Sequence, residues 1–392
     1  MASSIFESTL EATTELQRRA VGTESRALSY VALATAGVTL ASGASVVLGR
    51  YMSWQNDLVT TRKGQHFTNA TNIGGGSLKG AEVKKGWENY SKKYGEQTTT
   101  TIDAGEVPQL VDTFYNLITD IYEWGWGQSF HFSPSLRNAD IKASEMAHET
   151  RVADSLRLQP GMKVLDAGCG VGGPMRCIAA HSLAQVTGIT INEYQVGKCN
   201  MHNKKAGLER FCEVVQGNFL DMPFEDGKFD AAYSIEAICH APTAQAAYKE
   251  VFRVLKPGAL FVTYEWVKTR FYDPSNPCHV QIIDEINYGN ALPGMRSHKE
   301  VELAAKEVGF NVVVSRDLAS PPAGIWWQRL KMGRLQYKFN QIMIDILSLF
   351  RICPQGTAEA HKMLVAVADS LVLGGETGVF SPMHMLVLQK PL

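Results

Sequence analysis

The chain has 392 residues, a formal net charge of −1 at pH 7 and 45% apolar residues, so it is long enough for one large or two ordinary globular domains. The balanced charge argues against a nucleic-acid-binding protein, which would carry a broad excess of positive charge. Its seven cysteines are scattered without a CxxC pair, which argues against a disulfide framework or a zinc site and is typical of a reducing compartment.

The N-terminal tail, residues 1–65, contains a long uncharged segment at 27–49. A helix of that length can cross a bilayer core of about 30 Å. Acidic residues precede the segment, unlike in a secretory signal or a transit peptide. We therefore predict an uncleaved membrane anchor at 27–49. The many Ala, Gly, Ser and Thr residues leave a helix on the membrane surface as the alternative.

Residues 66–100 are predicted to form a glycine-rich linker and a basic helix. The apolar spacing over 107–122 predicts an amphipathic helix, which leads into the aromatic run YEWGWGQSFHFS at 122–133. This run holds five aromatic residues and a histidine in twelve positions, whereas the whole chain is 9% aromatic. Such a run suits a large apolar ligand, or a cation held by ring faces. Ordinary core packing is the alternative on local grounds.

From about residue 150, short β-branched runs alternate with amphipathic segments. This alternation predicts an α/β fold with a doubly wound, mostly parallel sheet and helices on both faces. The predicted strands are 163–168, 185–191, 211–218, 229–237 and 259–266, and two of the predicted helices are 193–206 and 243–255.

The first strand runs directly into a glycine-rich turn containing Gly168, Gly170 and Gly172. Glycines here let the backbone approach a ligand at a helix N-terminus. A dinucleotide site is the competing interpretation, because Gly173 completes the spacing G-x-G-x-x-G. The carboxylate of Asp166 suits a cationic ligand that bears an amino acid, such as S-adenosylmethionine (SAM), better than it suits a pyrophosphate.

Polar residues after the next strands complete a predicted SAM site. Asn192 follows the second strand, where a ribose is usually bound, and Asn218 with Phe219 could hold an adenine. The predicted cofactor-binding residues are Asp166, Gly168, Gly170, Gly172, Thr190, Asn192, Gln195, Asn218, Phe219 and Glu236.

Five segments, YEWGWGQSFHFS, LDAGCGVGGP, GITINEYQV, IEAICHAP and YEWV, together resemble the sterol 24-C-methyltransferases. The resemblance runs from about residue 80 to the C-terminus. Within this range the sequence is most similar to the plant-type branch of the family, which adds a second methyl group. It implies a class I SAM-dependent methyltransferase fold, with the methyltransferase domain at 101–318 and a C-terminal sterol-binding region at 319–392. It also implies SAM as the methyl donor, no metal and a sterol substrate. The free cysteines, the N-terminal anchor and the lipid substrate together favour the endoplasmic reticulum membrane, with membrane lipid as a partner and the catalytic domain on the cytosolic side. A homo-oligomer is compatible with the sequence.

In that family the aromatic run, IEATCHAP and YEWV are taken to line the sterol pocket. One departure is Ile238, which stands where the family usually carries threonine. The substrate-binding residues implied by the resemblance are Trp124, Trp126, Phe130, Cys239, Tyr264 and Trp266.

Methylation of a side-chain alkene leaves a carbocation, so the protein needs electron-rich walls, a dry cavity and one base. His240 or Glu123 is favoured as the base, with Glu236 orienting a ligand. The full set of candidate catalytic residues is Tyr122, Glu123, His131, Glu236 and His240. Methylation of lipid acyl chains by cyclopropane-type chemistry is the alternative activity, and the choice between first and second methylation stays open.

Overall fold

The computed structural model describes residues 85, 86, 88–92, 103–136, 139–320, 325–331, 341, 342, 345, 346 and 357–392. The predicted membrane anchor at 27–49 lies outside these residues, as does the rest of the tail 1–65. Among the helices in the described ranges, none is long and apolar enough to cross a membrane.

Within the described ranges, one sheet of eight strands forms the centre of the fold. The strands are β1 (Lys163–Ala167), β2 (Gln185–Thr190), β3 (Cys212–Gln216), β4 (Phe229–Ile235), β5 (Leu255–Lys268), β6 (Arg296–Ser297), β7 (Asn311–Asp317) and β8 (Phe380–Gln389). Their order is β3-β2-β1-β4-β5-β8-β7, and β6 pairs with β5. The strands β1 to β5 pair in parallel, whereas β8 runs antiparallel to both of its neighbours. The predicted mostly parallel sheet is therefore confirmed.

Helices alternate with these strands along the chain. They are α1 (Val107–Gly125), α2 (Ile141–Ser155), α3 (Gly173–Ser182), α4 (Glu193–Lys205), α5 (Ala244–Val254), α6 (Pro277–Gly289), α7 (His298–Val308) and α8 (Thr357–Thr377). Short 3₁₀ turns span Ile238–His240 and Trp326–Leu330. The helices predicted at 107–122, 193–206 and 243–255 are confirmed as α1, α4 and α5, with small differences at their ends.

Both faces of the sheet are buried, so its inner strands read as continuous apolar runs. Successive side chains of a strand point to opposite faces, and the fully buried neighbours Val164 and Leu165 accordingly belong to different cores. One core includes Met175 of α3, and the other includes Val251 of α5. The two layers of helices hold the loops at the carboxyl ends of the parallel strands.

The predicted C-terminal region, 319–392, contributes a strand to the sheet itself. Residues of β8 pair with β5 on one side and with β7 on the other. The preceding helix α8 packs on α6, where a Cβ added to Gly289 would lie 1.6 Å from a methyl carbon of Val367. This close packing places α8 against the same side of the sheet as α1 and the aromatic run.

Candidate functional site

Two adjoining cavities lie at the carboxyl edge of the parallel strands. The first is a cleft over the glycine-rich turn, and the second is a larger cavity of about 770 Å³ between α1, the aromatic run and α8. The residues that line both cavities are Tyr115, Phe130, His131, Glu236 and His240. This shared wall is where molecules bound in the two cavities would meet.

The glycine-rich turn forms the floor of the cleft. Gly168 and Gly170 line it with φ angles of +94° and +53°, in the region that favours glycine. A Cβ at Gly168 would lie 2.3 Å from the Cβ of Ala237 on the opposite wall. A side chain at Gly168 would therefore displace the floor of the cleft, whereas at Gly170 the constraint is the positive φ, because the nearest atom to a Cβ there, on Phe130, would lie 3.9 Å away.

Gly172 and Gly173 serve internal packing and do not line the cleft. A Cβ at Gly172 would lie 2.5 Å from Cys199 Sγ, and one at Gly173 would lie 2.2 Å from the carbonyl oxygen of Gln128. Because of the second contact, the backbone of the aromatic run at Gln128 packs directly against Gly173 at the start of α3. The structure thus gives Gly172 a packing role, and its role in binding the cofactor stays a prediction.

Asp166 lies beneath the cleft and does not line it. Its side chain accepts a hydrogen bond of 3.0 Å from the hydroxyl of Tyr233 on the neighbouring strand. Burial raises the pKa of Asp166 to about 7, although the Tyr233 bond opposes this shift. Asp166 therefore lies below the surface that is predicted to bind the ligand, and the Tyr233 hydroxyl is its hydrogen-bond donor there.

Of the predicted residues after β2, Thr190 and Gln195 line the cleft and Asn192 does not. The Thr190 hydroxyl donates to Gln195 Oε1 at 2.8 Å. Asn192 instead caps α4, because its Oδ1 accepts from the backbone N–H of Gln195 at 2.9 Å. Its amide nitrogen donates to Asp112 Oδ1 at 2.8 Å, so both ends of this side chain are engaged.

Asn218 and Phe219 line the opposite side of the cleft, as predicted for an adenine site. The Phe219 ring comes within 4.0 Å of a Cβ built on Gly168, which makes the floor and this wall one narrow apolar slot. A glycine floor that excludes side chains and a flat aromatic wall fit the nucleoside of SAM. Among the described residues, no group of His, Cys, Asp and Glu side chains is arranged to hold a metal ion.

Aromatic side chains line the large cavity, including Tyr122, Trp126, Phe132 and Trp266. Trp126 meets Phe132 edge-on at 5.2 Å between ring centroids, and the Arg329 guanidinium lies 3.8 Å from the Trp126 ring centroid. The predicted residues Phe130 and Cys239 also line this cavity. The side chain of Trp124 lies outside the described part of the chain.

Tyr264 does not line the cavity that it was predicted to line. Its ring stacks on His148 at 4.2 Å between centroids, and its hydroxyl donates to the His148 carbonyl oxygen at 3.1 Å. Trp266 shares a strand face with Tyr264 but lies two residues nearer the strand end, beside the cavity. Tyr264 is covered by α2 instead.

Glu123 points away from both cavities. Its carboxylate accepts from Lys198 Nζ at 2.6 Å and lies 2.5 Å from His202 Nε2, and Lys198 also pairs with Asp120. Burial disfavours the charge of Glu123, but His202 and Lys198 outweigh it and lower its pKa to about 2. A carboxylate held in this way argues against the predicted role as a base for a ligand.

His131 lies in the shared wall with both ring nitrogens engaged by acceptors. Nδ1 lies 2.8 Å from the carbonyl oxygen of Phe132, and Nε2 lies 2.9 Å from Glu149 Oε1. Both nitrogens must therefore carry hydrogen. Burial disfavours this charge, but Glu149 outweighs the burial and raises the pKa of His131 to about 9. This imidazolium has no free lone pair and cannot act as a base.

Glu236 ends β4 and connects three elements at the shared wall. Its Oε1 accepts from the backbone N–H of Phe132 at 2.8 Å, and its Oε2 accepts from Trp266 Nε1 at 2.7 Å. The residue adopts a φ of +54°, which costs a non-glycine residue about 1–2 kcal/mol. Burial raises the pKa of Glu236 to about 8, while the charge of His131 opposes the rise. The carboxylate thus fixes two aromatic walls of the cavity.

His240 and Tyr115 form the last pair of the shared wall. The Tyr115 hydroxyl lies 2.9 Å from His240 Nε2, and His240 Nδ1 lies 3.4 Å from the carbonyl oxygen of Ala291. Burial lowers the pKa of His240 to about 4, so the ring is neutral at pH 7. Tyr115 is not among the residues predicted from the sequence. Its spacing of seven residues from Tyr122, which puts both on one face of α1, was the available signal.

Comparisons with known proteins agree with this geometry. A family model described as a methyltransferase domain matches residues 165–263, and one described as a sterol methyltransferase C-terminal domain matches residues 327–392. The chain is 54% identical to 24-methylenesterol C-methyltransferase 3 of Arabidopsis thaliana, over 84% of this chain and 91% of the relative. It is 56% identical to 24-methylenesterol C-methyltransferase 2 of Oryza sativa subsp. japonica, over 81% of this chain and 88% of the relative.

Among solved structures, a mycolic acid cyclopropane synthase complexed with SAH and CTAB superposes with a TM-score of 0.60. The match covers 74% of this chain and 99% of that protein at 16% identity, so it concerns the fold alone.

Proposed function

Because this chain belongs to the family of sterol 24-C-methyltransferases, we propose that it transfers a methyl group from SAM to the side chain of a 24-methylenesterol. The product is the corresponding 24-ethylidene sterol. The observation that carries the proposal is the shared wall, which joins a glycine-floored cleft to a large aromatic cavity. A methyl donor and a bulky apolar acceptor need such an arrangement of two cavities.

The size and lining of the large cavity support a lipid acceptor. Its volume of about 770 Å³ falls in the range of roughly 300–1,000 Å³ that holds ligands of this size. Most of its lining is aromatic or aliphatic, with polar groups concentrated at the shared wall. A small amine would leave most of this apolar surface without a partner.

SAM supplies an electrophilic methyl group carried on a sulfonium sulfur. When the π electrons of the sterol alkene form the new bond to this methyl carbon, the carbon–sulfur bond would break, its electron pair would stay on sulfur in S-adenosylhomocysteine, and the positive charge would pass to a side-chain carbon. The rings of Tyr122, Trp126 and Phe130 surround this charge with electron-rich faces and few competing nucleophiles. Exclusion of water from the cavity prevents the cation from being trapped as an alcohol.

Glu236 is proposed to support this cation as a fixed negative charge. Both of its oxygens are held by Phe132 and Trp266, so it orients these groups and remains in the shared wall. Burial raises its pKa to about 8, and a cationic ligand beside it would lower this pKa, because the opposite charge favours the ionised form.

The activity can be tested with the purified full-length chain, labelled SAM and three acceptors. These are a 24-methylenesterol, a cycloartenol-type sterol and an unsaturated phospholipid in mixed micelles. We expect fastest labelling of the 24-methylenesterol. Labelling of the phospholipid alone would replace the proposal with cyclopropane-type lipid methylation, and faster labelling of the cycloartenol-type sterol would assign the first methylation.

We also propose that the enzyme acts at the endoplasmic reticulum membrane, anchored by residues 27–49. The uncharged length of this segment, the absence of a disulfide framework in the sequence and the lipid nature of the substrate support the proposal. Fractionation of cells that express the full chain, or a variant lacking residues 1–65, tests it. Equal recovery of both proteins in the soluble fraction would contradict the anchor.

A further inference from the structure

We propose that Tyr115 is a catalytic residue that takes the proton released at the end of the reaction and passes its own hydroxyl proton to His240. The inference rests on the proposed function, because it assigns the base of that methyl transfer. Its starting point is the shared wall, where four ionisable groups face both cavities: Tyr115, His131, Glu236 and His240.

Two of these groups already have another role. His131 carries hydrogen on both nitrogens, because each faces an acceptor. Glu236 accepts one hydrogen bond on each oxygen, from a backbone amide and from an indole. Each oxygen of Glu236 keeps a second lone pair, but a proton on Glu236 would remove the negative charge that the proposed function places beside the cation. The pair formed by Tyr115 and His240 carries no such cost.

The contacts of the pair define the direction of its hydrogen bond. The carbonyl oxygen of Ala291, which can only accept, lies 3.4 Å from His240 Nδ1, so the hydrogen of the neutral ring belongs on Nδ1. Nε2 then carries the lone pair, and the Tyr115 hydroxyl donates to it across 2.9 Å. The Tyr115 oxygen keeps lone pairs for a third partner, and the side chain lines both cavities.

The proposed step balances without any further reactant. The carbon–hydrogen bond next to the cationic carbon breaks, and its electron pair forms the new carbon–carbon double bond. The proton goes to the Tyr115 oxygen while the original hydroxyl proton moves to His240 Nε2, giving a neutral tyrosine and an imidazolium. The positive charge of the sterol cation has moved to the imidazole. A carbocation is acidic enough that a neutral phenol backed by a neutral imidazole suffices as the acceptor.

A loop outside the pair holds the imidazole in this orientation. Tyr90 accepts a hydrogen bond from the Ala291 backbone N–H at 3.1 Å and donates to the carbonyl oxygen of Tyr288. Ala291 itself is fully buried and has a φ of +52°. The Ala291 carbonyl oxygen that faces His240 is therefore held in position by the hydrogen bond to Tyr90 and by the burial of Ala291.

The test compares Tyr115→Phe, which keeps the ring, with Tyr248→Phe as a matched control. Tyr248 is a fully buried tyrosine, whereas Tyr115 is partly buried, and it donates its hydroxyl to Glu265, but it lies in the other core and lines neither cavity. For Tyr115→Phe we expect a fall in kcat of about 10²–10³-fold, with SAM binding and the KM for sterol within threefold of the parent. Isomeric alkenes or an alcohol should appear among the products. Tyr248→Phe should keep the parent kcat and product.

A second variant, His240→Gln, and a double variant with Tyr115→Phe separate chemistry from folding. If the two residues act as one unit, the double variant loses no more activity than the more impaired single variant. A folded Tyr115→Phe, or a folded His240→Gln, with parental kcat and a single product would overturn the proposal. If the parent chain methylates no sterol, the proposed function itself fails, and the two failures are thereby distinguished.

Discussion

Replacing Glu123 with Gln discriminates between a chemical and a structural role for the single acidic residue of the aromatic run. Sequence reasoning favours this residue as a base, whereas the structure holds it in a buried cluster with Lys198 and His202. We expect Glu123→Gln to destabilise the protein while the folded enzyme keeps its turnover. Glutamine preserves the size of the side chain, so the change removes the charge with little effect on packing.

The expected loss of stability follows from the pKa of Glu123. Burial opposes ionisation, but His202 and Lys198 hold the pKa at about 2, against an ordinary value of 4.5. At about 1.4 kcal/mol per pH unit, this difference corresponds to about 3 kcal/mol of stability. Because the folded-state pKa is lowered, this contribution is present above pH 4.5 and disappears as the pH falls toward 2. Breaking one partner from a buried ion pair costs about 3–5 kcal/mol, which is consistent.

Denaturant unfolding at pH 7, followed by tryptophan fluorescence, measures the change, and in thermal unfolding Tm should fall by about 4–5 °C. Asp154→Asn is the matched control, because Asp154 pairs with His181 at 3.0 Å but is 69% exposed. This control should lose less than about 1 kcal/mol. A Glu123→Gln enzyme with parental stability and no methyl transfer would refute the structural assignment and restore Glu123 as a catalytic group.

Three further predictions address the shared wall. Gly173→Ala should weaken SAM and sterol binding at least tenfold by calorimetry, because its Cβ would lie 2.2 Å from the Gln128 carbonyl oxygen. Trp266→Phe removes the donor to one oxygen of Glu236, so the pKa of Glu236 should rise further and the acidic limb of the kcat/KM pH profile should move to higher pH. His131 has a raised pKa of about 9, against 6.5 when unfolded, so its stabilising contribution is complete below pH 6.5 and lost as the pH rises through 9. Unfolding midpoints at pH 6.5 and 9.5 should differ less in His131→Gln than in the parent.

The elements that sequence reasoning predicts well depend on local patterns. The strands around the glycine-rich turn are runs of apolar residues bounded by glycine, and α1 has a regular apolar stripe. The cleft residues Gly168, Thr190 and Phe219 follow from their positions at strand ends, because parallel strands bring those ends to one edge. These features can be predicted from the local sequence, without information on which residues that are distant in the chain come into contact.

The features that sequence reasoning misses depend on partners far along the chain. Nothing near Glu123 reveals that Lys198, on α4, will neutralise it. Asn192 sits where a ribose-binding residue is expected, but the same position is the N-cap of α4, and only the contact with Asp112 decides between the roles. Tyr115 likewise becomes a candidate only through its hydrogen bond with His240, which lies on the turn that follows β4. The periodicity of apolar residues along the chain cannot predict such contacts between residues that are far apart in the sequence.

The aromatic run is best understood as a rigid support shared by the two cavities. Its Gln128 carbonyl rests on Gly173 at the start of α3, and the Gln128 side chain accepts from Arg176 Nη2 at 2.8 Å. Arg176 in turn donates to the Val171 carbonyl oxygen in the glycine-rich turn at 2.9 Å. The floor of the cleft and the wall of the large cavity are therefore parts of one hydrogen-bonded unit. A reaction between two separately bound molecules depends on this connection, because a small displacement of either cavity would separate the methyl donor from the alkene.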